Sequence, residues 1–172
     1  MSDCVERFID ELEHVAGKAQ RARSEENALE LILEILRSHQ ARTVALAEFS
    51  LAQRLERLLR ERGYELVKGR EIARAEVGIS GAELAIAETG SLLIGHDGIS
   101  ELVAALPPVH IALIRSEQIC GTLDEAFAFC HKELERAPRD FVFVTGPSRT
   151  ADIELTPVIG VHGPQELFVI VL

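Results

Sequence analysis

The chain has 172 residues, a formal net charge of −10 and 47% hydrophobic residues, which suits one domain with a sizeable core. The acidic balance argues against non-specific nucleic-acid binding and against docking on anionic membranes, because both need clustered lysine and arginine. A signal-peptide stretch and a run of about 18 apolar residues are both lacking, so we expect a cytoplasmic protein without membrane insertion.

Two helices are predicted at the N-terminus. Apolar residues recur at helical spacing over Val5–Arg23, which predicts an amphipathic first helix. Ser24 then has the character of an N-cap for a second helix, with Glu25 and Glu26 favourably placed against the helix dipole. We expect these helices to form either an appendage on the main body or a partner-binding face.

A strand–helix–strand unit follows. Thr43–Leu46 and Tyr64–Val67 are β-compatible runs that flank an amphipathic helix. Ser50 and Gln53 predict a capping box at the start of this helix, and Gly63 predicts its end. A parallel crossover is the default arrangement for such a unit.

The middle of the chain predicts a hairpin and a short helix. The apolar runs Leu84–Ala87 and Ser91–Ile94 are separated by Glu88–Gly90, which favours two strands joined by a tight turn. Ser100 is expected to cap a short helix that must stop before Pro107.

Four further elements complete the chain. His110–Ile114 is typical of a buried strand, in which His110 is expected to be structural. Thr122 and Glu125 predict a capping box and a helix after it. Phe141–Val144 is apolar enough to be a central strand, and Leu167–Leu172 is again strand-like.

Strands that alternate with helices predict a three-layer α/β domain with a mixed or largely parallel sheet. We expect residues 41–172 to form this domain as one globular unit and residues 1–40 to form an N-terminal helical segment. Ligands bind beyond the carboxyl ends of parallel strands, which points to the loops after Ala87, Ile94 and Val144.

The cysteines Cys4, Cys120 and Cys130 are widely spaced. They form neither a disulfide framework nor a metal-binding pair, and iron–sulfur clusters need closely spaced cysteines. The glycine-rich motifs of dinucleotide and phosphate loops and the paired histidines of zinc hydrolases are also missing. We therefore expect no metal and no cofactor in this chain.

The segment TGPSRTADIE offers the strongest candidate site. Its hydroxyls, its guanidinium and its backbone amides suit a carboxylate or phosphate, although a capped strand-to-helix turn with a structural arginine is the alternative. The predicted ligand-binding residues of this segment are Thr145, Gly146, Ser148, Arg149, Thr150, Asp152 and Glu154.

Two further residues are candidates for catalysis. Glu88 follows an apolar strand, where desolvation could make it a general base or nucleophile; a turn carboxylate that accepts hydrogen bonds from amides is the alternative. Thr89 and Gly90 beside it are predicted to bind the ligand. His162 lies in a glycine- and proline-rich loop and could act as an acid/base group or merely bond backbone.

Four segments together resemble a known family. They are AIAETGSLLI (85–94), LPPVHIALI (106–114), GPSRTADIEL (146–155) and GVHGPQELFVIVL (160–172). In this order they are similar to the hallmark segments of the LUD domain, and most similar to the lactate-utilisation protein C group.

The resemblance implies a Rossmann-like sheet flanked by helices, similar to the sugar-phosphate isomerase and CoA-transferase superfamily. It implies a role in oxidising L-lactate to pyruvate with two iron–sulfur proteins, which would hold the clusters. This chain would then bind a small anionic metabolite through Arg149 and its neighbours. An enzyme of CoA-transferase or isomerase type that uses Glu88, and a non-catalytic metabolite-binding module, are the alternatives.

Overall fold

The computed structural model describes residues 2–96, 98–136, 140–151, 157–159 and 163–172. The helices are α1 (Ser2–His14), α2 (Glu25–Ser38), α3 (Ala52–Glu61), α4 (Ser100–Ala105) and α5 (Leu123–Arg136). The first strands are β1 (Lys18–Arg21), β2 (Thr43–Leu46), β3 (Glu65–Val67), β4 (Val77–Gly81), β5 (Leu84–Ile86) and β6 (Ser91–His96). The later strands are β7 (Val109–Ile114), β8 (Ile119–Cys120), β9 (Asp140–Val144), β10 (Arg149–Ala151), β11 (Pro157–Ile159) and β12 (Glu166–Val171).

A fully parallel sheet lies at the centre of the fold. Its strands run in the order β1-β12-β7-β4-β2-β3. Parallel sheets are covered on both faces, so their strands are apolar on both sides. Strand β7 is an example, because all of its residues are buried. The predicted α/β class with a largely parallel sheet flanked by helices is confirmed.

Two different layers cover this sheet. On one face, α2 and α3 pack against alternate residues of the inner strands, for example Ile79 and Ile111. On the other face, α1 joins a second sheet of order β8-β5-β6-β9, and both pack on residues such as Ile114 and Val169. Helix α4 contributes Val103 to a smaller cluster beside β2.

The N-terminal segment differs from the predicted pair of helices. Helix α1 ends at His14, because the Ala16 N–H donates to the Glu13 carbonyl and the Gly17 N–H donates to the Leu12 carbonyl. This is a Schellman motif, with Ala16 in the left-handed region at φ 65°. The chain then turns into β1, the edge strand beside β12. The prediction that the first helix continues to Arg23 is therefore wrong.

Helix termini follow some of the predicted caps. Ser24 caps α2 by accepting a hydrogen bond from the Asn27 N–H, as expected. Gly63 follows α3 at φ 81°, which also agrees with the prediction. The capping box of Ser50 at the start of α3 is wrong, since Leu51 occupies the N-cap and no side chain caps the helix.

Ser100 is the first residue of α4 instead of its cap, because Ile99 takes the N-cap position. At α5, the Thr122 hydroxyl accepts from the Glu125 N–H as predicted, while the Glu125 carboxylate accepts from the Gly121 N–H. The Thr122 half of the predicted capping box is therefore present, whereas the Glu125 carboxylate bonds the N–H of Gly121 and not that of Thr122.

The second sheet corrects the predicted place of one strand. Strands β5 and β6 form the expected antiparallel hairpin. Strand β9 pairs only with β6 among the described strands, so it lies at an edge and not at the centre of a sheet. Its Val142 and Phe143 are each 38% exposed, and Phe143 contacts Phe127 of α5. None of the described helices combines the length and the apolar character needed to cross a membrane.

Gly78 offers a test of this packing. A Cβ atom at Gly78 would lie 1.9 Å from the Val103 carbonyl oxygen, so α4 rests directly on the backbone of β4. We predict that Gly78→Ala lowers the free energy of unfolding by about 3 kcal/mol, because backbone must move to relieve the clash. Gly121→Ala is the matched control, because its Cβ would meet only the flexible Glu125 carboxylate at 3.5 Å. Urea denaturation measures both, and equal stability of the two variants would contradict the packing.

Candidate functional site

A cleft of ≈ 350 Å³ opens at the carboxyl end of the parallel sheet. The connection from β2 leads to β3 on one side of it in the sheet, whereas the connection from β4 leads to β7 on the other side. The two connections therefore leave the neighbouring strands β2 and β4 in opposite directions. Such a switch point is where open α/β sheets bind ligands. The loop segments 48–50 after β2 and 81–83 after β4 line the cleft at this place.

The end of β7 and the residues after it also line the cleft. Arg115 follows the strand, and its N–H donates to the Gln118 Oε1 at 3.0 Å. The Gln118 Nε2 in turn donates to the carbonyl oxygens of Ala82 and Glu83, each at 3.1 Å. This amide therefore joins the loop after β7 to the loop after β4 and fixes the backbone on which Arg115 stands.

The Arg115 side chain belongs to a chain of ion pairs. Its Nη2 donates to the Glu25 Oε1 at 2.9 Å, and the Arg54 Nη1 donates to the Glu25 Oε2 at 2.6 Å. The Arg54 Nη2 also donates to Glu26, and this hydrogen bond holds the pKa of the Glu26 carboxyl below its usual value. Within the described part of the chain, the other guanidinium N–H groups of Arg115 have no partner.

The loop after β2 contributes oxygen atoms to the lining of the cleft. The Glu48 carboxylate and the Ser50 hydroxyl are exposed, and neither has a hydrogen-bond partner among the described residues. Phe49 between them packs over Gly81, where a Cβ atom would lie 2.7 Å from the Phe49 Cβ. The absence of a side chain at Gly81 thus lets this loop close over the end of β4.

The structure joins one residue from each of the two predicted site segments through a third residue. The Thr89 hydroxyl donates to the Ser91 Oγ at 2.7 Å, and the Ser91 Oγ lies 2.7 Å from the Thr145 Oγ1. Ser91 is buried and was not among the predicted site residues. These three hydroxyls form a short hydrogen-bonded row between β6 and the end of β9.

Two glycines of the predicted site contact α1. Gly90 and Gly146 have positive φ angles of 63° and 75°. A Cβ atom on Gly90 would lie 2.4 Å from the Leu12 nitrogen, and one on Gly146 would lie 2.3 Å from the Val15 carbonyl oxygen. Packing of the last turn of α1 therefore requires glycine at both positions, and their ligand-binding role stays a prediction.

The rest of the 145–154 segment is only partly described. The Ser148 N–H donates to the Pro164 carbonyl at 2.8 Å. Arg149 and Thr150 lie on β10, which pairs antiparallel with β11, so a strand and not a helix follows the turn. The predicted ligand-binding residues Asp152 and Glu154 and the predicted catalytic residue His162 lie outside the described residues.

Glu88 lies in the turn between β5 and β6 and is exposed. Its Oε2 accepts a hydrogen bond of 2.9 Å from the Leu123 N–H at the start of α5. A carboxylate at this place satisfies one of the free amides of a helix N-terminus. The contact agrees with the structural alternative for Glu88, and its catalytic role stays a prediction.

The predicted location and the cleft differ for a topological reason. The loops after Ala87, Ile94 and Val144 follow strands of the second sheet, so the rule for carboxyl ends of parallel strands does not apply to them. Arg115 was missed, although an arginine directly after the apolar run of β7 is a local signal that could have identified it.

One buried histidine lies near the amino end of β7. The His110 Nε2 is 2.8 Å from the Ser80 Oγ, and its Nδ1 has no hydrogen-bond partner among the described residues. Burial lowers the pKa of His110 to about 4, so the ring is neutral at physiological pH. Within the described stretches, no group of three histidine, cysteine or acidic side chains could hold a metal ion.

A parallel sheet flanked by helices, with a cleft at its switch point, defines an open α/β domain, a fold in which ligands commonly bind at that point. Within that class, the chain matches the LUD domain over residues 5–172 and therefore belongs to the LUD-domain family. It is also similar to the crystal structure of a DUF162 family protein from Deinococcus radiodurans, with a TM-score of 0.73 and 20% identity. That alignment covers 99% of this chain and 96% of the other.

Curated relatives share a name. The chain is 37% identical over 103 residues to lactate utilization protein C of Geobacillus sp. (strain WCH70), which is 58% of this chain and 43% of the relative. It is 36% identical over 104 residues to lactate utilization protein C of Deinococcus radiodurans, or 59% of this chain and 49% of the relative. The matched part thus spans less than half the length of these relatives.

The lowered pKa of His110 should make the free energy of unfolding depend on pH. Its folded pKa is about 4 and the ordinary value is 6.5, so between these values the unfolded chain binds more protons. The free energy of unfolding should therefore fall by about 2 kcal/mol between pH 7 and pH 5. His110→Gln should remove this loss, whereas the exposed control His131→Gln should keep it. Urea denaturation at both pH values measures the effect, and a pH dependence that survives in His110→Gln would contradict it.

Proposed function

We propose that this protein acts in L-lactate utilisation and binds a small carboxylate in the cleft at the carboxyl end of its parallel sheet. The observation that carries the proposal is the position of Arg115, which lines the cleft directly after the end of β7. Membership of the LUD-domain family and the name shared by its curated relatives support the pathway.

Arg115 has the chemistry for this ligand. A guanidinium binds a carboxylate through two parallel N–H donors. Among the described contacts of the Arg115 guanidinium, Glu25 accepts from Nη2 only, which leaves other N–H donors for a ligand. Glu25 and the Gln118 bridge hold the arginine in place before a ligand arrives. Such preorganisation reduces the entropy lost on binding.

The oxidation itself needs redox centres. Conversion of a 2-hydroxy acid to a 2-oxo acid releases two electrons and two protons. We propose that two iron–sulfur partner proteins accept the electrons through their clusters and that this chain positions the acid without a cofactor of its own. A cytoplasmic location follows from this role as part of the same proposal.

The 145–154 segment is a second proposed location for the ligand. Arg149, Thr150, Asp152 and Glu154 would bind the anion there, with the hydroxyls of Thr145 and Ser148 beside them. The observation that favours it is the hydroxyl row that joins Thr145 to Thr89 through Ser91.

A reaction of CoA-transferase or isomerase type at Glu88 is an alternative function. Exposure of Glu88 in a tight turn favours it, and His162 would assist as an acid/base group. For this reaction, the Glu88 carboxylate would first have to break its hydrogen bond with the Leu123 N–H. Because breaking this hydrogen bond costs free energy, we favour ligand binding in the cleft over a reaction at Glu88. A non-catalytic module would use the same cleft without turnover.

Ligand binding tests the location. We predict that Arg115→Ala weakens L-lactate binding by about tenfold to a hundredfold in isothermal titration calorimetry, since a charge-assisted pair is lost. Arg60→Ala is the matched control, because Arg60 bonds Glu56 on α3 and does not line the cleft. Wild-type affinity in Arg115→Ala together with loss of binding in Arg149→Ala would transfer the site to the 145–154 segment.

Reconstitution tests the pathway. We predict that lactate oxidation by the iron–sulfur partners requires this chain and falls strongly when Arg115→Ala replaces the wild type. Pyruvate formation coupled to reduction of an artificial electron acceptor provides the measurement. Equal rates with and without this chain would contradict the proposed role.

A further inference from the structure

A second cleft, at the amino end of the parallel sheet, is lined by three arginines. This amino-end cleft has a volume of ≈ 390 Å³, and its lining includes Arg37, Arg42 and Arg62. Gln40 and Tyr64 also line it, and no aspartate or glutamate is among its described lining residues. The whole chain has a net charge of −10, so this lining is a local reversal of charge.

The end of α2 supplies two of these arginines. The helix ends in a Schellman motif, in which the Gln40 N–H donates to the Arg37 carbonyl at 3.0 Å. The Ala41 N–H donates to the Leu36 carbonyl at 3.0 Å and completes the motif. Arg37 therefore lies in the last turn of the helix, and Arg42 follows the motif directly before β2.

The end of α3 supplies the third arginine through the same motif. The Gly63 N–H donates to the Arg60 carbonyl at 3.1 Å. The Tyr64 N–H donates to the Leu59 carbonyl at 3.0 Å. Arg62 is the C-cap residue of this helix, and Tyr64 leads directly into β3.

Strand pairing places the two motifs side by side. Strands β2 and β3 are parallel neighbours, with Thr43 opposite Glu65. The Glu65 N–H donates to the Arg42 carbonyl at 2.9 Å, so the backbone that leaves one motif is bonded to the backbone that leaves the other. The arginines therefore meet for a topological reason, because two neighbouring parallel strands each begin directly after a helix end.

The guanidinium groups of these arginines are available to a ligand. Arg37, Arg42 and Arg62 are exposed, and none of them forms a side-chain hydrogen bond or an ion pair with another described residue. The pKa of Glu76 is lowered chiefly by hydrogen bonds from the Arg42 and Thr43 N–H groups, and to a smaller extent by the Arg42 charge. This carboxylate offsets part of the charge of Arg42, so Arg37 and Arg62 are the stronger anion-binding groups.

Arginines at helix ends have a structural alternative. A cation near a helix C-terminus can neutralise the carbonyl oxygens of the last turn, which lack partners within the helix. In α2 and α3, however, the N–H groups of the two Schellman motifs already donate to carbonyl oxygens of the last turn. The arginines are therefore not required as caps, and their charge remains for an anion.

We propose that the amino-end cleft binds a small phosphate-bearing anion with two or more negative charges, held jointly by Arg37 and Arg62. A guanidinium matches phosphate oxygens through paired N–H donors, and a multiply charged anion allows both arginines to bind at once. The Gln40 amide and the Tyr64 hydroxyl can donate further hydrogen bonds. The volume of the cleft suits a small metabolite, whereas the net charge of −10 opposes an extended polyanion such as a nucleic acid.

This site is separate from the proposed lactate function. The amino-end cleft and the cleft of Arg115 lie at opposite ends of the parallel strands, and they share no described lining residue. The phosphate-bearing anion is therefore an additional ligand and not the acid that is oxidised. Failure of either proposal leaves the other in place.

Isothermal titration calorimetry with inorganic pyrophosphate tests the proposal, in buffers matched in ionic strength with sodium chloride. Pyrophosphate should bind the wild-type chain. Arg37→Gln and Arg62→Gln should each weaken this binding by about tenfold or more, because each removes one of two guanidiniums that hold the same anion. Arg57→Gln is the matched control, since it removes the same charge from an exposed position on α3 that does not line the cleft, and it should bind as the wild type does.

Two further measurements identify the site and the ligand. Arg115→Ala should leave pyrophosphate affinity unchanged, because Arg115 lines the other cleft. Glycerol 3-phosphate, titrated in parallel, distinguishes a phosphate ester from an inorganic diphosphate as the preferred form. Added pyrophosphate should raise the Tm of the wild type and of Arg57→Gln, and should raise that of Arg37→Gln less.

Three results would overturn the proposal. The first is a wild-type chain that does not bind pyrophosphate, and the second is equal weakening in Arg57→Gln and Arg62→Gln, which would indicate a general effect of charge. The third is wild-type affinity in folded Arg37→Gln and Arg62→Gln. If these variants then had a lower Tm, the arginines would serve the helix ends alone.

Discussion

Burial of β7 on both faces is the constraint on which the rest of this structure depends. Ile111 faces the layer of α2 and α3, whereas Ile114 faces α1 and the second sheet. A strand with two apolar faces must lie inside a covered sheet, and parallel neighbours bring their carboxyl ends to one edge. The cleft forms at that edge, and the first residue beyond β7 is Arg115.

Contacts with neighbouring elements of the fold hold Arg115 in place. Gln118 joins the backbone after β7 to the backbone after β4, and Glu25 at the start of α2 holds the Arg115 side chain. The arginine therefore rests on two layers of the fold, the sheet and one covering helix. Under the proposed function, Arg115 would present its guanidinium to a small acid in a protein whose net charge of −10 opposes the binding of larger polyanions.

Local sequence signals predicted much of the fold. Ser24 and Gly63 mark helix ends whose chemistry is contained within a few residues, and the β5–β6 hairpin follows from two apolar runs around a glycine turn. The end of α1 was missed because Ala16 adopts a left-handed conformation that usually signals glycine. The edge position of β9 and the sheet order depend on pairing between distant strands, which one sequence does not reveal.

The candidate site was predictable to a similar degree. The chemistry sought, a guanidinium with nearby hydrogen-bonding groups, is present in the cleft, yet the residue is Arg115 and the partners come from segments far apart in the chain. The predicted segments around Thr89 and Thr145 do meet, through the hydroxyl of Ser91. Their glycines are required by contact with α1, a tertiary reason that the sequence pattern could not distinguish from ligand binding.

A crystal structure of the chain soaked with L-lactate would test the central claim most directly. We predict density for the acid in the cleft, with its carboxylate on the Arg115 guanidinium. Density against residues 145–154 with an empty cleft would contradict it.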